Sequence, residues 1–163
     1  TISENGLTDT FVIKASDQSV TSNTTLADDD DLVISMDANS TYEIEVFLMG
    51  YSASSTPDWK LDFQETDGSF HGMLINSRLS TLHAFDDVTP GGFTIALAAG
   101  LGRTMSGKLT HDSGGSGGNF AVVWAQAVSD GTATTVVEGM INIRENRIER
   151  YQESCMSLLC NNT

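Results

Sequence analysis

Two glycine-punctuated stretches carry residue types found in known reactive loops. Gly102-Arg103-Thr104-Met105-Ser106-Gly107-Lys108 has the spacing of a phosphate-binding loop, in which backbone amides and a lysine cradle phosphate oxygens. Leu109 follows where a magnesium-binding Ser or Thr is required, and Lys108-Leu109-Thr110-His111 alternates like a strand. A phosphate loop must instead open a helix whose N-terminus faces the phosphates. Gly114-Gly115-Ser116-Gly117-Gly118 fits the form of a nucleophile elbow, which needs a strand-to-helix turn to lift the serine. Asn119-Phe120-Ala121-Val122-Val123-Trp124 again reads as strand, so the glycines predict a flexible hairpin loop. His71, His83 and His111 are scattered, with no acid or nucleophile motif beside any of them. No catalytic residue and no cofactor are expected.

The carboxylates and thiols are less specific. Asp28-Asp29-Asp30-Asp31 and Asp86-Asp87 are dense in oxygen ligands, but the first lacks the alternation and central glycine of an EF-hand loop. Solvated turns are the leading reading, with calcium binding at Asp28 to Asp31 the lesser one and no metal site assigned. Glu43 and Glu45 share a strand face, a pattern that a solvent-facing strand produces far more often than a catalytic carboxylate pair does. Cys155 and Cys160 are the only cysteines; they either close a small C-terminal loop by a disulfide or stay as two thiols. Sequons begin at Asn23, Asn39 and Asn161, as expected by chance in a chain rich in Ser and Thr.

Two-residue alternation dominates the elements that position these groups. Trp59, Leu61 and Phe63 alternate with Lys60, Asp62 and Gln64, the pattern of a half-buried strand. Residues 41–51 set Tyr42, Ile44, Val46 and Leu48 on one face, while the other passes from Glu43 and Glu45 to Phe47 and Met49, so its far end is expected to be covered on both sides. Further strands are predicted at 11–15, 32–36, 72–75, 93–98, 105–111, 119–127 and 134–144, with turn-rich sequence between them. The expected fold is all-β: an antiparallel, jelly-roll-like β-sandwich with a short C-terminal extension. Its division is an N-terminal arm at 1–10, ordered only against a neighbour, a sandwich at 11–144 and an extension at 145–163.

A formal net charge of −14 and a pI near 4.2 set up a field that repels phosphate backbones and anionic membrane surfaces. No run approaches the roughly 18 apolar residues of a membrane helix. Neither nucleic acid nor membrane is expected as a partner. Arg144, Arg147 and Arg150 make the most basic neighbourhood of the chain and could meet an acidic surface on another copy.

Several pieces taken in order resemble a β-rich domain of tailed-bacteriophage virion proteins. These are Ser19-Val20-Thr21-Ser22-Asn23-Thr24-Thr25-Leu26, the acidic run before Leu32, Ala38-Asn39-Ser40-Thr41-Tyr42, Trp124-Ala125-Gln126-Ala127-Val128-Ser129-Asp130 and Thr134-Thr135-Val136-Val137-Glu138-Gly139-Met140. The resemblance covers roughly residues 11–144. It implies a non-enzymatic capsid decoration or cement protein on the virion surface, displayed as a homotrimer and partnered by the major capsid protein. Phe47, Met49, Arg144, Arg147 and Arg150 are the expected subunit contacts. The alternative is a receptor- or carbohydrate-binding module of a tail fibre, in which Tyr51, Trp59 or Phe70 would stack on sugars.

Overall fold

A computed structural model describes residues 2–4, 7–76, 81–86, 92–97 and 99–146. The chain forms twelve strands: β1 (Ile2–Glu4), β2 (Leu7–Ile13), β3 (Gln18–Val20), β4 (Ala27–Met36), β5 (Thr41–Ser52), β6 (Trp59–Glu65), β7 (Gly68–Asn76), β8 (Thr81–Asp86), β9 (Phe93–Ile95), β10 (Arg103–Ser113), β11 (Gly118–Gln126) and β12 (Thr134–Asn146). No helix occurs among the described residues.

Eight of the strands obey one pairing rule. β2 pairs with β12, β4 with β11, β5 with β10 and β6 with β9, all antiparallel. The first strand of this skeleton meets the last, the second meets the next to last, and so on inward. The chain is thus a long hairpin rolled over into two sheets, ordered β2-β12-β5-β10 and β4-β11-β6-β9. That is the jelly roll expected from the alternation. Three additions widen the first sheet: β1 beside β2, β3 against the start of β12, and the β7–β8 pair, inserted between β6 and β9, beside β10.

Alternation decides which side chains meet between the sheets. On the large sheet, Ile44, Val46 and Leu48 of β5 lie opposite Ile143, Ile141 and Gly139 of β12, and opposite Leu109, Gly107 and Met105 of β10. The small sheet contributes Leu32, Trp59, Leu61, Phe120, Val122 and Trp124, all fully buried. Each such side chain stabilises the fold by about 1.5–3 kcal/mol, an upper estimate because the unfolded chain also buries some surface. At one end Phe63, Phe70 and Phe120 form an aromatic cluster with centroids 5.5 to 6.1 Å apart. Gly139 lets the sheets approach, since a Cβ there would stand 2.5 Å from Leu32 Cδ1.

The structure departs from the alternation-based reading in several places. Asp28 to Asp31 are not a turn but part of β4, where the register between β4 and β11 shifts. The glycine stretch 114–118 does not close a hairpin, because β10 and β11 belong to different sheets and it carries the chain between them. β2 begins at Leu7 and pairs across the 10/11 boundary, with Thr10 opposite Ile143. β12 runs on to Asn146 and buries Glu145, whose Oε1 accepts a hydrogen bond from Ser40 Oγ at 3.1 Å. Strand β9 is shorter than the predicted 93–98, and β7 is longer than 72–75. Cys155, Cys160, Arg147 and Arg150 lie outside the described residues.

Candidate functional site

The residues that looked reactive are accounted for by packing. Gly107 and Lys108 sit in mid-strand on β10, and a Cβ at Gly107 would collide with the carbonyl oxygen of Met73 on β7. The glycine therefore permits strand approach, not phosphate approach. Ser116 lies exposed in the loop between the sheets, where its amide donates to Asp67 Oδ2 at 2.9 Å, and Gly117 and Gly118 both hold positive φ. His71 is exposed. His83 stacks on Phe93 at 4.2 Å, and burial lowers its pKa.

His111 is buried, with Nδ1 3.0 Å from the Ser69 carbonyl and 2.9 Å from Glu65 Oε2, so it joins β10 of one sheet to β6 of the other. Burial lowers its pKa, while the Ser69 carbonyl and Asp112 pull the other way.

The acidic run on β4 has a structural task. Asp29 is fully buried, and both its carboxylate oxygens accept from Lys14 Nζ, at 2.9 and 2.8 Å. Trp124 Nε1 donates to Asp29 Oδ2 at 3.1 Å, and the amides of Asp31 and Leu32 donate to Oδ1. Asp31 Oδ2 takes the amides of Ala15 and Ser16, and its pKa is lowered first by the Ala15 hydrogen bond. These contacts stitch the end of β2 to β4 at the corner where the chain crosses between sheets. Lys14 is the cation set against both Asp29 and Asp31. Among the described residues no group of three or more His, Cys, Asp or Glu is placed to hold a metal. Asp28 and Asp30 remain exposed on an edge strand, where charge discourages pairing with another chain.

The outer faces of the two sheets differ in kind. Exposed positions on the small sheet are polar except Ala27: Asp28, Asp30, Ser35, Gln64, Thr94 and Asn119, with the small apolar Ala121, Val123 and Ala125 buried between them. On the large sheet the register aligns Ile13, Met140, Phe47, Ser106, Ile75 and Leu82 in one row crossing β2, β12, β5, β10, β7 and β8. This row contains no charge. Phe11 and Met73 stand in the next row, and Met49 lies on the opposite flank.

Two charge pairs stand near this row, and Glu43 and Glu138 are also exposed on the same face. Lys108 Nζ lies 2.9 Å from Glu45 Oε1, and Arg144 grips Asp9 with Nε at 2.8 Å and Nη2 at 3.1 Å. Hydrogen bonding to Arg144 lowers the Asp9 pKa, and hydrogen bonding to Lys108, then Asn142, lowers that of Glu45.

Of the expected subunit contacts, Phe47, Met49 and Arg144 fall together on this outer face, with Phe47 and Met49 half-buried among their neighbours. Sequence reading missed the rest of the row. Its signal lay in the triplets Phe11-Val12-Ile13 and Met73-Leu74-Ile75, which are apolar on both strand faces. Of the aromatics considered as a sugar platform, Trp59 and Phe70 are buried and only Tyr51 is exposed.

No family profile matches the chain, and no curated protein matches it. Among solved structures, a chain from the structure of infectious bursal disease virus, Gx strain, is similar at 14% identity and a TM-score of 0.29, covering 96% of this chain and 42% of that one. This chain therefore spans less than half the length of the viral one. At that TM-score the likeness carries no inference.

Proposed function

We propose that the protein is a non-enzymatic virion structural protein, a capsid decoration or cement protein of a tailed bacteriophage, displayed on the particle surface as a homotrimer beside the major capsid protein. One observation carries this reading: the sandwich is two-sided, with exposed positions that are almost all polar on the small sheet and a cluster of large exposed apolar side chains, suited to being covered, on the large one. A protein held on a larger assembly needs both. The packing roles of Gly107 and the 114–118 loop support a non-enzymatic reading, because neither glycine stretch precedes a helix. The acidic charge of −14 supports the exclusion of nucleic acid and anionic membranes as partners.

The test is stoichiometry in purified particles, by quantitative mass spectrometry. Hundreds of copies per particle are expected for a decoration protein. A handful would favour the tail-fibre module, and absence from particles would remove the virion role altogether. The fibre reading keeps only Tyr51 of its three aromatics on the surface. A glycan array without binding above background would count against it.

A further inference from the structure

We infer that the outer face of the large sheet is a self-association surface, covered in the working protein by a second copy of this chain. Six of the eight large apolar side chains that stand exposed among the described residues lie on this face: Phe11, Ile13, Tyr51, Met73, Ile75 and Leu82. Ile13 is 68% exposed and Leu82 56%. At roughly 100 Å² apiece the six make an apolar patch on the order of 600 Å², at the top of what a monomer carries and most of the ~800 Å² per partner of a standard interface.

Charge selects the occupant. Every other copy is as acidic as this one, so copies repel through most of their surfaces. Among the described residues the only exposed cations are Lys108 and Arg144, and both stand on this face. Lys14 and Arg103 are buried and Lys60 is half-buried. The face therefore combines a charge-free row with the two exposed cations, each paired with a carboxylate of its own chain and so partly offsetting the acidity at the row's border. Along the row itself, two approaching copies set no charge against charge.

The inference deepens the proposed assembly role and rests on it for its biological setting, but its test needs only the purified chain. Sedimentation or light scattering at micromolar concentration should give two or three times 17.4 kDa. Ile13→Glu and Ile75→Glu place a carboxylate where solvent already reaches in the monomer, so near-ultraviolet circular dichroism should stay unchanged. Each should weaken association by about 100-fold or more, because an unpaired buried charge costs several kcal/mol and each 1.4 kcal/mol is tenfold. Val128→Glu is the control, since Val128 is 51% exposed in the connection between β11 and β12 and should leave the mass unaltered.

A monomeric wild type overturns the inference, as does an oligomer that survives both isoleucine variants or dissociates equally with the control. A monomeric wild type whose isoleucine variants fall off particles would assign the face to another virion protein and leave the proposed function standing. An oligomer lost only with the isoleucine variants, from a protein absent from particles, would do the reverse.

Discussion

The two outer faces of the sandwich are made by the same alternation and come out opposite. On the small sheet, the exposed side chains turned away from the core are almost all Asp, Gln, Asn, Ser and Thr, around the small Ala121, Val123 and Ala125 of β11, and β4 spends its one buried carboxylate, Asp29, on a lysine and an indole. On the large sheet the corresponding positions of β2, β5, β7, β8 and β12 include Ile13, Phe47, Ile75, Leu82 and Met140. The difference teaches that strand pattern fixes which side chains face the core, while the identity of the remainder records what lies outside the molecule.

The comparison can be broken first at the acidic side. Lys14→Met would leave the Asp29 carboxylate buried without its cation, and the expected loss is about 3–5 kcal/mol in chemical denaturation. Combining it with Asp29→Asn should recover part of that loss. A drop below about 1 kcal/mol would mean that Asp29 reaches water and that the acidic strand is not anchored as described.

Acidification sharpens the contrast between interior and surface. The folded pKa of His111 is depressed, so its contribution is present above the ordinary value of 6.5 and is lost as pH falls through that value towards the folded one. Each unit of depression is worth about 1.4 kcal/mol, and His111→Gln should flatten this window. The carboxylates on the apolar face respond lower. Asp9 and Glu45 have depressed values, so their pairs with Arg144 and Lys108 persist above the ordinary 3.8 and 4.5 and are lost below them. Stability curves for wild type and His111→Gln that coincide between pH 7 and pH 5 would contradict this separation.

The smallest effect is the most direct comparison of the faces. Under monomeric conditions Ile13→Ser on the large sheet and Asp30→Ser on the small sheet should each change stability by no more than about 0.5 kcal/mol, because neither side chain is buried within one molecule. A loss of about 2 kcal/mol or more from Ile13→Ser alone would show that the apolar row is already covered by this chain's own residues.

Much of the sandwich was legible because Trp59, Leu61, Phe63 and the Tyr42-to-Leu48 series obey a strict period of two. The failures have physical causes. The acidic run looked like a turn because four consecutive carboxylates are rarely buried, and only Lys14, far away in sequence and brought close by the fold, makes Asp29 tolerable. β1 and β3 were missed because three residues are too few for alternation to show, and β8 because its six residues follow no strict period of two. The outer apolar row was half visible at Phe47 and Met49. Its full extent depends on cross-strand register, which local pattern cannot supply.

The nesting of the strand pairs has a consequence for how the molecule comes into being. Ile13 finds its partner only when Met140 has been made, and β4 must wait for β11. Almost nothing in this architecture can be completed locally, so the loop-closure entropy falls due before the contacts that reward it. Folding should therefore be slow, in the millisecond-to-second range of sandwich topologies. On the ribosome the pairs can close only from the innermost outward, and β2 waits for β12, the last strand of the skeleton, which makes the nascent chain the state most exposed to aggregation. The charge of −14, which repels one half-made copy from the next, is then as useful during synthesis as it is on the finished surface.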